Sequence, residues 1–182
     1  MADQHPIQTH PMTSATDDDV VVFIIGIRVN AFWRLTRWLP VIVTLRRVMR
    51  DLLRQPDIGL LGYRTRIGGR HMEITQYWRS FADLHAYAHE RHGEHARAWE
   101  WFHRTIGQDG TVGLWHEAYL VPANRVESIY LNMPPHGLAE AMGVQPIQGG
   151  YAAAAGRLGL SAGDNHTEDG RAQRNPSRRQ SA

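Results

Sequence analysis

The sequence lacks cysteine and lysine: it has no cysteine, and all twenty basic residues are arginine. Without cysteine, disulfides, thiolate metal sites, iron–sulfur clusters and cysteine nucleophiles are excluded. Without lysine, a Schiff base, a phosphate-loop lysine and a lysine general base are excluded. Several enzyme classes are therefore eliminated, and the absence of cysteine is typical of a reducing compartment.

The sequence also shows no pattern typical of a secretory signal or of a transmembrane segment. The first nineteen residues contain no basic segment followed by an apolar core. Residues 20–45 are apolar overall, but three arginines and an asparagine interrupt them, so no uncharged run of about 20 residues remains. We therefore expect a cytoplasmic protein that does not interact with a membrane.

The charge of the chain is nearly balanced. The formal net charge is +2, which equals the surplus of five arginines over three acidic residues within residues 151–182. A nucleic-acid binder concentrates basic residues on one face of its folded part, and this sequence shows no such concentration. Nucleic acid is therefore not an expected partner.

Composition divides the chain into one domain and two tails. Residues 1–18 are polar and contain two prolines, whereas residues 149–182 are small and polar without apolar periodicity. Both are predicted to be disordered. Residues 19–148 are predicted to form a single folded domain, because the 42% hydrophobic content is adequate for one core.

Periodicity within this domain alternates between strand and helix. It predicts strands over residues 20–29, 60–67, 71–78 and 111–121, a short strand over 128–132, and helices over 30–53, 80–90 and 94–106. Gly68 and Gly69 predict a hairpin, Ser80 predicts a helix N-cap, and Pro40 predicts a kink. The order β-α-β-β-α-β indicates an α+β fold, the ferredoxin-like split βαβ arrangement.

Such an open sheet has helices on one face, and something must cover the other. Trp115, Glu117, Tyr119 and Val121 share one face of strand 111–121. These large, partly apolar side chains predict that the sheet packs against a second copy in a homodimer.

His116 lies on the other face of the same strand, in the apolar row Val112, Leu114, Ala118 and Leu120. A core histidine hydrogen-bonded to a buried partner is one interpretation. The alternative is an acid, base or ligand, because this face points toward the helices, where a cavity can form.

His95 begins an apolar stripe, with Trp99 and Phe102 at i+4 and i+7. The side chain should point inward, either packed on Trp99 or ligating iron in an aromatic-lined pocket. The histidines at 85, 89, 92 and 95 form H-x3-H-x2-H-x2-H, but Gly93 interrupts the helix and no acidic residue completes a metal set.

Several segments resemble a known family, the monooxygenase-like family named for a fungal enzyme of fumagillin biosynthesis. They include VVVFIIGIRVN, YWRSFADLHAYA, HARAW, GLWHEAYLV and VESIYLNMPPHGL, and the resemblance covers roughly residues 19–142. That family belongs to the dimeric α/β-barrel superfamily, so the resemblance implies a ferredoxin-like domain that dimerises into a barrel. The superfamily includes antibiotic-biosynthesis monooxygenases and haem enzymes.

A more distant resemblance concerns haem-dependent aldoxime dehydratases. They carry a proximal haem histidine on a helix and a catalytic histidine in a strand motif similar to Trp-His-Glu, positions taken here by His95 and His116, 21 residues apart. The resemblance implies that His95 ligates haem iron and that His116 is the distal acid or base. Those enzymes are about twice as long, and their catalytic serine and arginine have no aligned counterpart here.

The remaining site predictions concern side chains around the haem. Arg28 and Asn30, at the end of the first strand, are predicted to bind a polar or propionate group, with plain solvent exposure as the alternative. Trp78, Trp99 and Phe102 are predicted to line the pocket, although an aromatic core would also explain them.

Three functional hypotheses follow from the resemblance. The first is a haem-binding, monooxygenase-like enzyme acting on a small hydrophobic substrate. The second is a cofactor-free monooxygenase in which His116 is the base and His95 only packs. The third is a non-catalytic barrel that binds haem or a hydrophobic ligand.

Overall fold

A computed structural model describes residues 6–15, 17–90, 93–107, 109–147 and 158 of the chain. The strands are β1 (Met12–Ser14), β2 (Val20–Val29), β3 (Leu60–Gly68), β4 (His71–Trp78), β5 (Val112–Val121) and β6 (Val144–Pro146). The helices are α1 (Leu35–Leu52), α2 (Phe81–Ala88), α3 (Glu94–Thr105) and α4 (Leu138–Met142), with a 3-10 turn at Ala123–Arg125.

The main sheet has the strand order β3-β4-β2-β5, and every neighbouring pair is antiparallel. Taken with the element order β2-α1-β3-β4-α2-α3-β5, this is the ferredoxin-like α+β fold. The predicted fold class is confirmed for the single chain, whose sheet remains open rather than closing into a barrel by itself.

The core lies between one face of this sheet and helices α1, α2 and α3. Val21, Ile74 and Trp78 project from the strands and pack against Leu52 of α1 and Leu84 of α2. A second cluster joins β2, β4 and β5 to α1 and the end of α3. Strand alternation explains the pattern, because every second residue of each strand faces the helices.

The hairpin between β3 and β4 and the N-cap of α2 form where the sequence predicts them. β3 and β4 are joined at Gly69, whose φ of +54° is a conformation that glycine adopts without strain. The Ser80 hydroxyl accepts a hydrogen bond from the backbone N–H of Asp83 at 3.1 Å, so Ser80 caps α2 as predicted.

Helix α1 begins at Leu35, five residues later than the periodicity predicts, and continues through Pro40. The reason lies in the preceding residues. The backbone N–H groups of Asn30 and Ala31 donate to the carbonyl of Thr111, at 2.9 and 3.3 Å. These bonds hold the residues after β2 beside the residue before β5, and a turn follows in which the Arg34 N–H donates to the Ala31 carbonyl at 3.1 Å, so the helix begins only after that turn.

The two ends of the domain differ from the prediction. Met12–Ser14, placed by composition in a disordered arm, form a strand that pairs with Val144–Pro146. Residues 128–132 form no strand and contribute only an isolated bridge between Tyr130 and Met12. Long-range hydrogen bonds, including one from the Ser14 N–H to the Ser128 hydroxyl at 3.0 Å, order this polar segment. Residues 1–5 and all of the predicted tail except Leu158 lie outside the described residues.

The helices of the described residues are all too short or too polar to span a membrane.

Candidate functional site

A cavity of about 510 Å³, called the histidine cavity below, opens between the helix-facing side of β2 and β5 and helices α2 and α3. Its volume falls within the range of about 300–1,000 Å³ that is typical of small-molecule sites. The lining consists of Phe23, Ile25, Phe81, Leu84, His85, Ala88, His89, His95, Ala96, Trp99, His116 and Ala118. Apolar side chains predominate, and imidazoles are the polar ones.

His116 reaches the cavity from β5. It pairs with Ile25 of β2, which also lines the cavity. The His116 ring lies 5.6 Å from the ring of Phe23, measured between centroids. Its side chain is exposed, so the imidazole can meet a ligand within the cavity.

His95 reaches the same cavity from the first turn of α3. It is half-buried, its ring lies 5.6 Å from that of Tyr87, and its Nδ1 atom is buried without a hydrogen-bond partner. Burial lowers the pKa of His95, and the nearby His89 and His116 lower it further. A weak interaction with the Ala88 backbone, too poorly aligned to count as a hydrogen bond to Nδ1, opposes this shift in part. The neutral imidazole is thereby favoured, which is the form that ligates a metal or accepts a proton.

His85 and His89 stack beside His95 at the same cavity, with ring centroids 3.9 Å apart. The Nδ1–H of His89 donates to the His85 carbonyl at 2.9 Å, which leaves Nε2 of His89 as the acceptor nitrogen. Within the described residues, no group of three or more histidine or acidic side chains could hold a metal ion. His92, the third histidine of the sequence pattern, lies outside those residues.

Trp99 and Phe102 occupy different positions around His95. Trp99 lines the main cavity and is 45% exposed. Phe102 lines a smaller cavity of about 60 Å³, which His95 and Trp99 also border. The helical stripe of His95, Trp99 and Phe102 therefore faces two adjoining spaces.

Trp78 does not line the main cavity. It is fully buried in the core, its Nε1–H donates to Gln76 Oε1 at 2.9 Å, and its ring packs on Tyr87. Trp78 is therefore an aromatic core residue, which is the alternative to a pocket-lining role that the sequence left open.

Arg28 and Asn30 lie outside the cavity lining as well. Arg28 is exposed at an alternate position of β2 from Ile25 and Ile27, so it lies on the opposite side of the strand. Its guanidinium donates to Asn30 Oδ1, and the Asn30 amide donates to the Gly110 carbonyl at 3.0 Å. The two residues brace the strand end against the turn before β5.

Sequence reasoning missed much of the cavity wall. Three alanines, Ala88, Ala96 and Ala118, leave the space open, and Phe23 and Phe81 enclose it. For Ala118 the signal was available, because it follows His116 by two residues on the same strand face. The alanines of α2 and α3 carried no such signal, since small residues on helices are common.

Comparisons with known proteins identify the family. A profile of the monooxygenase af470-like family matches residues 20–138. The chain belongs to that family. No curated protein sequence matches the chain significantly.

Solved structures are similar in fold at low identity. The aldoxime dehydratase OxdRE, in complex with butyraldoxime, is 18% identical with a TM-score of 0.56, over 74% of this chain and 43% of that one. A second aldoxime dehydratase is 24% identical with a TM-score of 0.53, over 65% of this chain and 37% of that one. SnoaB, a cofactor-independent oxygenase from Streptomyces nogalater, is 10% identical with a TM-score of 0.40, over 56% of this chain and 91% of that one. This chain spans less than half the length of either dehydratase.

Proposed function

We propose that the protein is a small-molecule enzyme in which His95 ligates haem iron and His116 transfers protons to and from the substrate. The observation that carries the proposal is that both imidazoles line one cavity of about 510 Å³. They reach it from separate elements, His95 from α3 and His116 from β5. A ligand within this cavity can therefore contact both imidazoles.

The state of His95 fits an iron ligand. A buried polar atom without a partner costs about 1–3 kcal/mol, and a bound group that engages the imidazole can offset that cost. The lowered pKa of His95 favours the neutral, ligating form. If bound through His95, haem would supply an iron centre that polarises a nitrogen or oxygen atom of the substrate.

The other residues would bind and orient the substrate. His116 holds or accepts a proton at the substrate's polar atom, with Phe23 packed against its ring. Phe81 and Trp99 surround an apolar substrate body. The lining that the described residues form contains no carboxylate or guanidinium, and such a lining suits a small, mainly hydrophobic substrate without a formal charge.

The test is a hemin titration of the purified protein, followed by visible absorption. Wild type should develop a Soret band, and His95→Ala should not, while far-UV circular dichroism stays unchanged. His71→Ala is the matched control, because His71 is exposed at the start of β4 and does not line the cavity. Added imidazole should restore the band in His95→Ala by replacing the missing ligand. An unchanged band in His95→Ala would assign the ligand to another residue.

One observation favours the cofactor-free oxygenase as the second candidate. Among the described residues, no arginine lines the cavity, so haem propionates would lack a cationic partner from that part of the chain. In this case His116 acts as the base that deprotonates an electron-rich substrate, and His95 packs against Tyr87. Absence of a Soret band in wild type, together with oxygen consumption that depends on His116, would favour this candidate.

We also propose that the protein is a homodimer formed through the sheet face opposite the helices. Tyr119, 49% exposed on β5, and half-buried Trp115 lie on that face. Sedimentation should give twice the mass of one chain, and Tyr119→Arg should shift the protein toward the monomer. A monomeric wild type at micromolar concentration would overturn this proposal.

A further inference from the structure

The smaller cavity of about 60 Å³, called the apolar pocket below, adjoins the histidine cavity on the helix-facing side of the sheet. Ile25, His95 and Trp99 line both spaces. The remaining walls of the apolar pocket come from β2, β5, α1 and α3. A molecule in the histidine cavity can therefore contact side chains that also border the apolar pocket.

Strand pairing places the two spaces side by side. Ile25 pairs with His116 in the histidine cavity, and Ile27 pairs with Leu114 in the apolar pocket. Because alternate residues share one strand face, these two pairs are consecutive on the helix-facing side of the sheet. The apolar pocket therefore continues the histidine cavity along β2 and β5.

The wall of the apolar pocket is almost entirely hydrocarbon. Ile27, Val41 and Val48, which line it, are 1%, 4% and 9% exposed. Among the described residues no charged side chain lines the pocket, and polar atoms contribute little of its surface, although Thr44 and His95 are part of the lining. A buried water molecule needs about two to four polar partners, so this wall favours an apolar occupant over water.

The size of the apolar pocket limits what can fill it. A water-sized group takes about 30 Å³ in a liquid, so the pocket accommodates about two carbon-sized groups. Dioxygen and the end of an alkyl chain are of this size. Side chains around an unfilled space lose van der Waals contacts, and an occupant of matching shape restores them.

The apolar pocket also lies close to the protein surface. Thr44, Ala98 and Trp101 line both the pocket and an open groove of about 890 Å³ between α1 and α3. A single layer of side chains therefore separates the pocket from the groove. A small molecule can reach the pocket from this side, and a chain end can reach it from the histidine cavity.

We propose that the apolar pocket is a binding site for a small, uncharged, apolar group. This group is either the end of an alkyl chain on the substrate or a free molecule of the size of dioxygen, since both match the hydrocarbon wall and the volume. The role of the pocket in turnover rests on the function proposed for the histidine cavity. Binding to the pocket requires neither haem nor turnover.

The first measurement is NMR of the methyl-labelled full chain under xenon pressure, because xenon is an apolar atom that fits a space of this size. Methyl groups of Ile27, Val41 and Val48 report the apolar pocket, whereas those of Leu84 and Ala118 report the histidine cavity. Xenon should shift the three pocket signals in wild type, and the shifts should saturate as the pressure rises.

Ala98→Leu and Ala96→Leu form a matched pair of variants. Both alanines are half-buried on α3, but Ala98 lines the apolar pocket and Ala96 lines the histidine cavity. The xenon shifts of Ile27 and Val48 should be lost in Ala98→Leu and kept in Ala96→Leu. Val41→Ile fills the pocket from α1 and should give the same loss, so the result does not depend on a single variant.

A second arm uses n-octanol to identify the source of the apolar group. If the end of an alkyl chain is the occupant, n-octanol should shift the methyl signals of Leu84 and Ile27 with one affinity, because one molecule spans both spaces. Shifts at Leu84 alone, together with xenon shifts at Ile27, would assign the pocket to a free molecule such as dioxygen.

Two results would overturn the proposal. One is that neither xenon nor n-octanol shifts the methyl signals of Ile27, Val41 and Val48 in wild type. The other is that the shifts persist unchanged in both Ala98→Leu and Val41→Ile, with far-UV circular dichroism confirming that the variants are folded. Failure of hemin to bind would instead overturn the proposed iron ligand and would leave these shifts unaffected.

Discussion

Phe23 and His116 lie side by side on neighbouring strands, with their rings 5.6 Å apart and tilted by 39°. Both line the histidine cavity, together with His95 from the opposite wall formed by α3. Ring packing restricts how far an imidazole can rotate, so Phe23 helps to hold His116 toward the space that a substrate would fill. The strand pairing of β2 and β5 thus creates the relationship on which the proposed chemistry depends.

His116→Ala should separate catalysis from binding. Because general acid–base catalysis contributes about 10²–10⁴-fold, we expect kcat to fall by that factor while ligand affinity changes by no more than a few-fold. Steady-state kinetics and a ligand titration of the same preparation measure the two effects. Equal losses of turnover and affinity would argue against an acid–base role, and ligand binding without turnover in wild type would favour the non-catalytic hypothesis.

Ala118→Phe should narrow the histidine cavity. The new ring would project into the space beside His116, because positions 116 and 118 share one strand face. We expect large hydrophobic ligands to lose affinity by about tenfold or more, and small ones to be affected less. Ala82→Phe on the exposed face of α2 is the control, since Ala82 does not line the cavity. Unchanged affinity for every ligand size would contradict the assignment of this cavity as the binding site.

The lowered pKa of His95 predicts a pH dependence of stability. The ordinary histidine pKa is 6.5, and the folded protein holds the pKa of His95 below that value. His95 therefore binds a proton more readily in the unfolded chain than in the folded protein. The free energy of unfolding is not reduced by this difference above pH 6.5, and it decreases as the pH falls below that value. Urea unfolding between pH 8 and pH 5 should show this decline in wild type and a smaller one in His95→Gln. Identical profiles would show that His95 titrates normally.

Gly26 should tolerate no side chain. It pairs with Trp115 across β2 and β5, and a Cβ atom at position 26 would lie 2.6 Å from the indole. Gly26→Ala should destabilise the fold by about 1–3 kcal/mol through overpacking. Combining it with Trp115→Ala should recover part of this loss by removing the clash. Gly68→Ala is the control, because a Cβ atom there has nothing within 4 Å.

Trp78→Ala should test the core. The fully buried indole packs on Tyr87 and donates to Gln76, so truncation should lower the free energy of unfolding by about 3–5 kcal/mol. Trp33→Ala, at a tryptophan that is 77% exposed, is the matched control and should cost far less. Similar losses from both variants would be inconsistent with the described packing.

The secondary structure was largely readable from the sequence. The strand at Val20–Val29, the hairpin at Gly68 and Gly69, and the Ser80 cap depend on local patterns, and local patterns are visible in a sequence. The strand at Met12–Ser14 was not readable, because its partner lies more than 100 residues later at Val144–Pro146. A polar three-residue segment has no periodicity to reveal such a pairing.

The same distinction between local patterns and long-range packing applies to the candidate site. Alternation along β5 and the helical stripe of α3 predicted that His116 and His95 face inward, since each depends on neighbours within a few positions. Tertiary structure decided which aromatic residues join them. It assigned Trp99 to the cavity and Trp78 to the core, and it placed Arg28 outside.

By itself, the sequence determined the order of the four main-sheet strands and of the helices between them, the absence of thiol and lysine chemistry, and the faces on which the two histidines lie. Only the tertiary structure decided that those faces enclose a cavity, that three alanines leave its space open, and that a smaller apolar pocket adjoins it. The physical reason is that periodicity fixes the direction of a side chain relative to its own backbone. A cavity depends on the distance between elements, which is set by packing among residues far apart in the chain.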